Sequence, residues 1–309
     1  MAKIAVEVAE ALAWRTLNGA PGHISVRPLA QGRGWRVQDL ICTSGPRDRP
    51  FEERHETVSI AIVAAGSFRY RSSGGRELMT PGSLLLGNVG ECFECGHEHG
   101  EGDRCLAFHY APDYFERLAA DAGARVSRRA FGRHRLPPLR VLSPLVARAI
   151  AGVAGAADVP WEELAVQLAA RTLGLAEGLS PGSSQAPPAA EARVARIARA
   201  IERHPEARLS LGDLAREAAL SPFHFLRTFE KLTGLTPHQY VLRARLREAA
   251  VRLVADPGAK ILDIALDCGF GDLSNFNRAF RAEIGLSPAP TACAPESDNL
   301  GHGAVLYQN

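Results

Sequence analysis

Five residues that could bind a soft metal ion are concentrated in one short segment, ECFECGHEHGEGDRC, at positions 91–105. They are Cys92, Cys95, His97, His99 and Cys105. Thiolate and imidazole groups are the ligands that zinc and copper(I) prefer in proteins. Because alternate side chains of an extended strand share one face, Cys95, His97 and His99 would converge without any further folding.

Two further features of this segment favour a cation. Cys105 could return beside the three converging side chains after a turn at Gly100 and Gly102, which would complete four nitrogen and sulfur ligands. Cys92 is out of phase and would join them only through a bulge in the strand. The acidic residues of the segment are Glu98, Glu101 and Asp103. We therefore predict a site for zinc or another soft metal ion at these five positions.

Two other interpretations of the segment stay open. Cys92 and Cys95 form a C-x-x-C pair, and His97 and Arg104 could lower the pKa of their thiols, as in a redox sensor. Alternatively, the segment is a polar loop at the rim of a barrel, with cysteines that pack and histidines that hydrogen-bond to strands. Cys42 and Cys293 stand apart from the segment, and the sequence gives them no role.

The composition is that of a globular protein with two domains. The chain has 309 residues, 46% hydrophobic and 23% charged, and its formal net charge of +2 means that a nucleic-acid site would be a local patch. No apolar run approaches the roughly 18 residues of a membrane span, and the N-terminus lacks the layout of a signal peptide. We expect a cytoplasmic protein without membrane contact or a disulfide framework.

Turn signals and hydrophobic periodicity divide the chain into two halves. Short apolar runs at 58–64, 67–71 and 83–87, separated by glycine and proline turns, predict antiparallel strands of a small cupin-like β-barrel. A helical period follows at 143–177. The segment GLSPGSSQAPPAA has the composition of a linker. The predicted units are a sensor and dimerisation domain at 1–177, a linker at 178–190, a helical domain at 191–290 and a tail at 291–309.

The helical domain contains the same short pattern twice. In the first copy Leu211, Leu214, Ala215 and Ala218 form one apolar stripe, and Ser221 and Pro222 begin a second helix after a tight turn. That second helix leaves three polar side chains on its outer face, namely His224, Arg227 and Lys231. A short helix with a basic stripe fits the major groove of duplex DNA.

The second copy, at 261–281, repeats the stripe, a glycine turn and a second helix with two inward phenylalanines. Its outer face offers Ser274, Asn277, Arg278 and Arg281, which can donate to base edges and phosphates. A long helix predicted at 237–255 would hold the two copies at a fixed separation. A helical bundle with a merely solvated basic face is the alternative, and the repetition at one spacing disfavours it.

Five motifs in this half resemble the DNA-binding domain of the AraC/XylS family of transcription regulators. They are Leu-x-x-Leu-Ala, Ser-Pro-Phe-His-Phe-x-Arg-x-Phe, Gly-x-x-Pro-x-x-Tyr, Arg-Leu-x-x-Ala and Cys-Gly-Phe-x-x-x-Ser-x-Phe-x-Arg-x-Phe. The resemblance implies recognition helices at 222–232 and 273–282. It implies base contacts from Phe223, Leu226, Arg227, Ser274, Asn275, Asn277 and Arg278. It also suggests phosphate contacts from His224 and Lys231.

The fold expected from pattern and resemblance is α+β and multidomain: a cupin-like β-barrel sensor that ends in helices, then an all-α domain with two helix-turn-helix units. The resemblance implies a cytoplasmic transcription activator that binds promoter or operator duplex DNA. Its further partners would be a second copy of the chain, through the helices at 143–177, and RNA polymerase.

Enzymatic alternatives are disfavoured. A cupin metal enzyme would share the His-x-His of His97 and His99, but Glu101 follows too closely and a later histidine is missing. A regulator of the DNA-alkylation-repair type would need a Pro-Cys-His-Arg methyl-acceptor motif, which the sequence lacks.

The end of the helical domain departs from the family pattern. After Ser287 and Pro288 the family usually continues with an aromatic residue and an arginine, whereas this chain continues with Ala289 and Pro290.

Overall fold

The computed structural model describes residues 2–50, 52–124, 130–154, 159–178, 187–256, 258–285 and 287–288. The predicted tail at 291–309 lies outside this part of the chain, and so do residues 179–186 of the predicted linker.

Within the described residues of the N-terminal half, ten strands form two antiparallel sheets. They are β1 (Ile24–Gly32), β2 (Trp35–Cys42), β3 (Glu52–Arg54), β4 (Val58–Gly66), β5 (Phe68–Ser72), β6 (Gly75–Met79), β7 (Leu84–Gly87), β8 (Cys92–Gly96), β9 (Asp103–Tyr110) and β10 (Arg135–Leu136). The larger sheet has the order β1-β2-β9-β4-β7-β10, and the smaller has the order β3-β8-β5-β6.

The inner strands β4, β7 and β9 of the larger sheet are buried on both faces, which explains the nearly continuous apolar runs of β4 and β7, whereas the edge strand β1 is largely exposed. On β9, Cys105 and Ala107 point to the smaller sheet and pack with Phe68 and Tyr70 in the interior of the barrel. The alternate residues of β9, such as Phe108, belong to a second core that lies against helices.

The part of the chain that the structure describes also contains ten α-helices. They are α1 (Ala2–Asn18), α2 (Pro112–Asp121), α3 (Ser143–Val153), α4 (Trp161–Gly178), α5 (Pro188–Arg203), α6 (Leu211–Glu217), α7 (Pro222–Thr233), α8 (Pro237–Ala255), α9 (Ile261–Asp267) and α10 (Leu273–Ile284). Helices α2, α3 and α4 cover the outer face of the larger sheet. None of the described helices is long and apolar enough to span a membrane.

The C-terminal half has two cores, one at each end of α8. Residues of α5, α6 and α7 pack with the first part of α8, and Leu78 of β6 joins this core from the barrel. Residues of α9 and α10 pack with the second part of α8, and Ala147 of α3 lies against them. Both halves of the helical domain are therefore docked on the N-terminal domain.

The predicted fold class is confirmed, with a sheet-rich domain followed by a helical domain that holds two helix-turn-helix units. The strands predicted at 58–64, 67–71 and 83–87 correspond to β4, β5 and β7. The helix predicted at 237–255 is α8. Helix α5 begins at Pro188, inside the segment predicted as linker, because proline at the first helical position and the alanines that follow it both favour a helix.

Candidate nucleic-acid interface and sensor cluster

The first helix-turn-helix unit consists of α6 and α7. Leu214, Ala215 and Ala218 are buried between the two helices. The chain turns at Ala219, which adopts a φ of 52°, a left-handed conformation that is uncommon for a residue with a Cβ. The Ser221 hydroxyl then accepts a hydrogen bond from the backbone N–H of His224 and begins α7.

Helix α7 has one buried and one exposed face. Phe225 and Phe229 are completely buried and fix the rotation of the helix about its axis. The residues expected to contact DNA lie on the other face. Phe223, His224, Arg227 and Lys231 are exposed, and Leu226 is half-buried. The guanidinium carbon of Arg227 lies 5.7 Å from the centroid of the Phe223 ring.

The second unit, α9 and α10, is built in the same way. Its turn uses Gly269, with a φ of 85°. The Asp272 carboxylate accepts a hydrogen bond of 2.6 Å from the backbone N–H of Asn275 and begins α10. Phe276 and Phe280 are buried at the positions that Phe225 and Phe229 occupy on α7.

The outer face of α10 carries the second set of predicted DNA contacts. Ser274, Asn275 and Arg278 are exposed, and Asn277 is half-buried. Arg278 Nη2 donates a hydrogen bond of 3.1 Å to Asn275 Oδ1. This contact holds the guanidinium over the surface of the helix, where it is accessible to a ligand.

Helix α8 separates the two units and is itself part of the framework. Its 19 residues span about 28 Å at 1.5 Å per residue. Arg245 on α8 donates to the carbonyl oxygens of Pro205 and Ala207 before α6, and to the carbonyl oxygen of Gly269 in the second turn. The arginine thus connects the two units directly.

The five residues of the predicted metal site are not brought together as one set. Cys95 and Cys105 lie among the interior side chains of the barrel. Alternation along β8 places Cys92 on the face opposite Cys95. Strand β8 ends at Gly96, so the alternation of side chains does not extend to His99. The Nε2 atom of His99 lies 2.5 Å from the carbonyl oxygen of Ser67.

His97 does belong to a compact group of possible ligands, but its neighbours are Cys42 and Asp103. Among the described residues this is the one group of three or more such side chains whose ligand atoms all lie within 4.8 Å of one another. His97 Nε2 is 2.7 Å from Asp103 Oδ2 and 3.5 Å from Cys42 Sγ. Burial by itself would lower the pKa of His97, but the hydrogen bonds and charges of Asp103 and Cys42 outweigh it and raise the pKa to about 10.

Cys42 is the residue that the sequence analysis missed. It is the last residue of β2 and pairs directly with Asp103, the first residue of β9. No local spacing relates position 42 to position 103, since only the pairing of two distant strands makes them neighbours. The one local signal for this group was the acidic character of the segment, which favours a cation and includes Asp103.

The redox interpretation required a lowered thiol pKa, and Cys95 does not meet this requirement. Burial, followed by the charges of Asp103 and Cys42, raises the pKa of Cys95 well above its usual value. Arg104 does not offset this effect, because it lies on the other face of β9 and forms ion pairs with Asp39 and Glu7.

Two family models match this chain. The model described as the AraC-like ligand binding domain matches residues 38–218, and the model described as a helix-turn-helix domain matches residues 214–292. The first alone covers more than half of the chain. The chain therefore belongs to the AraC/XylS family of transcriptional regulators, as its motifs in the helical half predicted.

Curated relatives are similar over either most of the chain or its helical part. An uncharacterized HTH-type transcriptional regulator, YbfI of Bacillus subtilis, is 25% identical over 72% of this chain and 79% of its own length. The probable transcriptional regulator LumQ of Photobacterium leiognathi is 40% identical over 28% of this chain. This match spans about a third of LumQ, 35% of its length. Among solved structures, the DNA-binding domain of AdpA in complex with target DNA is 28% identical over 31% of this chain and 86% of its own, with a TM-score of 0.30.

Proposed function

We propose that this protein is a sequence-specific transcription regulator that binds promoter or operator duplex DNA through α7 and α10. One observation carries the proposal. Arg227 and Arg278 each lie six residues after the N-cap of their helix, both are exposed, and the opposite face of each helix is fixed by two buried phenylalanines. Two equivalent helices that present arginine in this way suit the major groove.

The exposed side chains divide into two proposed roles. Arginine can form a bidentate pair with guanine, and asparagine with adenine, so Arg227, Arg278, Asn275 and Asn277 are the proposed base contacts that discriminate most strongly. Phe223, Leu226 and Ser274 would contact the same base edges. His224 and Lys231 would bind phosphates, which position the protein without reading sequence.

The length of α8 supports simultaneous binding of both helices. Successive major-groove segments on one side of B-DNA are about 34 Å apart. Helix α8, which carries one unit on each of its two parts, is about 28 Å long and is thus of similar length to this distance. Arg245 would keep the separation fixed.

The N-terminal domain is proposed to sense an effector and to control how α7 and α10 are presented. We propose that the regulator acts as a homodimer in the cytoplasm and contacts RNA polymerase when it activates transcription. Helix α3 already packs on α8 and α10. Of the two helices predicted within 143–177, α4 is therefore the better candidate for the contact between copies. Non-enzymatic function agrees with relatives that are named as regulators.

The test is selection of binding sequences from a random duplex library, followed by affinity measurements on the selected duplex. Arg227→Ala and Arg278→Ala should each relax discrimination at a different base pair by about 1–3 kcal/mol while the protein stays folded. Arg117→Ala removes an exposed arginine from α2 and is the matched control. Equal effects of all three substitutions, or binding without any sequence preference, would contradict the proposal.

A further inference from the structure

The group of Cys42, His97 and Asp103 is buried and already close to the spacing of metal ligands. The side chains of His97 and Asp103 are 4% and 7% exposed, and Cys42 is 5% exposed. Around a tetrahedral zinc ion, a sulfur and a nitrogen ligand lie about 3.6 Å apart, and a nitrogen and an oxygen ligand about 3.3 Å apart. Cys42 Sγ and His97 Nε2 are 3.5 Å apart, whereas His97 Nε2 and Asp103 Oδ2 are 2.7 Å apart.

We infer that Cys42, His97 and Asp103 bind a divalent metal ion of the zinc class, with a fourth position left for water or an exchangeable ligand. The sulfur-to-nitrogen distance already fits. The hydrogen bond between His97 and Asp103 would be replaced by two coordinate bonds, so these two atoms would separate by roughly 0.6 Å. Thus the ligand that has to move is His97, in the loop between β8 and β9, while Cys42 and Asp103 are held by strand pairing.

Charge balance favours a divalent ion in this buried place. The Cys42 thiolate and the Asp103 carboxylate together carry two negative charges, which a dication neutralises. Thiol and imidazole must lose their protons before they bind a metal, and those protons pass to the solvent buffer. No oxidation or reduction is involved, since zinc has no redox chemistry.

The loop that holds His97 also holds the helical domain. Glu101 of this loop forms an ion pair of 2.8 Å with Arg203 and lies 3.4 Å from Arg199, both on α5. Glu98 pairs with Arg69, whose Nε donates to Glu191 at the start of α5 at 2.6 Å. A shift of the loop on metal binding would therefore be transmitted to α5, which packs against α7 and α8.

Metal binding can be tested without DNA. The full-length protein is treated with a chelator, kept reduced, and titrated with Co²⁺ in a spectrophotometer and with Zn²⁺ against a chromophoric indicator. We expect one equivalent per chain and a thiolate-to-cobalt charge-transfer band. Cys42→Ser should remove the band, and Asp103→Asn should weaken affinity by on the order of 10- to 100-fold or more.

Cys92→Ser is the matched control, because Cys92 lies on the outward face of β8 and outside the group. It should keep both the band and the stoichiometry. Circular dichroism without metal establishes which variants are folded. If Cys42→Ser is not, His97→Gln replaces it, and a loss of affinity for both ions is then the expected result in place of the lost band. The inference is overturned if the wild type binds neither ion more tightly than the ligand variants, or if Cys92→Ser loses the band as Cys42→Ser does.

Transmission to DNA rests on the proposed function and is measured separately. We expect Zn²⁺ to change the affinity for the selected duplex by roughly fivefold or more, and the duplex to change the affinity for Zn²⁺ by the same factor. In Glu101→Gln the Zn²⁺ stoichiometry should remain while this factor shrinks, because the contact with α5 is weakened. If Zn²⁺ binds but does not change the affinity for DNA, the transmission from the metal site to the DNA-binding helices is refuted and the metal site is not. Specific zinc binding without any DNA binding would refute the proposed function and leave the metal site intact.

Discussion

The two helix-turn-helix units share one architecture but are constrained by different surroundings. Their turns are the clearest case: Ala219 in the first unit and Gly269 in the second both adopt positive φ. Ala219 is exposed, so its Cβ has space. A Cβ on Gly269 would lie 2.8 Å from the carbonyl oxygen and 2.9 Å from the Cα of Glu206. Both turns have the same left-handed backbone conformation, but glycine is optional in the first unit and required in the second.

The contacts with the sensor domain also differ. The first unit lies against the edge of the barrel, where Leu78 enters its core and Arg135 donates to the carbonyl oxygen of Thr233. The second unit lies against α3 and the short turn before it, in which Arg140 donates to the carbonyl oxygen of Ala282. An effector that moves the barrel loops would therefore act first on the first unit, and a partner that moves α3 would act on the second.

The largest difference between the units is expected from Gly269→Ala. Left-handed strain and the overlap with Glu206 should together lower the free energy of unfolding by about 3 kcal/mol. Chemical denaturation monitored by circular dichroism measures this quantity.

Gly271→Ala is the control for that substitution. Gly271 lies in the same turn, but its Cβ would meet nothing within 4 Å. The stability of this variant should stay within about 0.5 kcal/mol of the wild type. A loss as large as that of Gly269→Ala would mean that the turn tolerates no Cβ anywhere, and the contact with Glu206 would not be the cause.

Arg245→Met tests whether the two units behave as one body. Three carbonyl oxygens on both sides of α8 lose their donor, and we expect a loss of about 2 kcal/mol. The loss should be accompanied by a wider range of separations between α7 and α10, measurable by spin labels on the two helices. Arg252→Met on the same helix is the control, because its ion pairs with Glu248 and Asp267 are partly exposed and should contribute less than about 1 kcal/mol.

The helix-turn-helix units could be predicted from sequence because their determinants are local. The apolar stripe, the turn, the N-cap and the inward phenylalanines of each unit fall within about 20 consecutive positions, as Ser221, Phe225 and Phe229 illustrate. Their cooperation with the barrel could not be predicted in this way. Leu78 belongs to a strand pattern, and nothing near it in sequence indicates that it completes a helical core.

The sensor cluster was only partly predictable for a related reason. His97 was identified because it lies in a segment with many possible ligands, and alternation correctly separated Cys92 from Cys95. The alternation argument was wrong for His99, because the strand ends at Gly96. Cys42 depends on the pairing of β2 with β9, which is a property of the tertiary fold.

Removal of the N-caps should give a smaller and unequal effect. Asp272→Ala should cost about 1.5 kcal/mol and Ser221→Ala about 0.5 kcal/mol, because the aspartate bond is shorter and charged. Asp272→Asn keeps an acceptor at the same place and should recover most of the stability. If both alanine variants lose the same free energy of unfolding, the packing around the two helices, and not their N-caps, determines the stability of their first turns.

The smallest expected effect has the opposite sign. Ala219→Gly relieves a left-handed alanine, which costs about 1–2 kcal/mol, but it also increases the freedom of the unfolded chain by about 0.5–1 kcal/mol. The net gain in the free energy of unfolding should be about 0.5 kcal/mol. Ala219→Val should instead destabilise the protein, because a β-branched side chain is poorly accommodated at positive φ. A loss of stability in Ala219→Gly would mean that the exposed alanine makes a contact worth more than its backbone strain, and the two turns would then differ in kind.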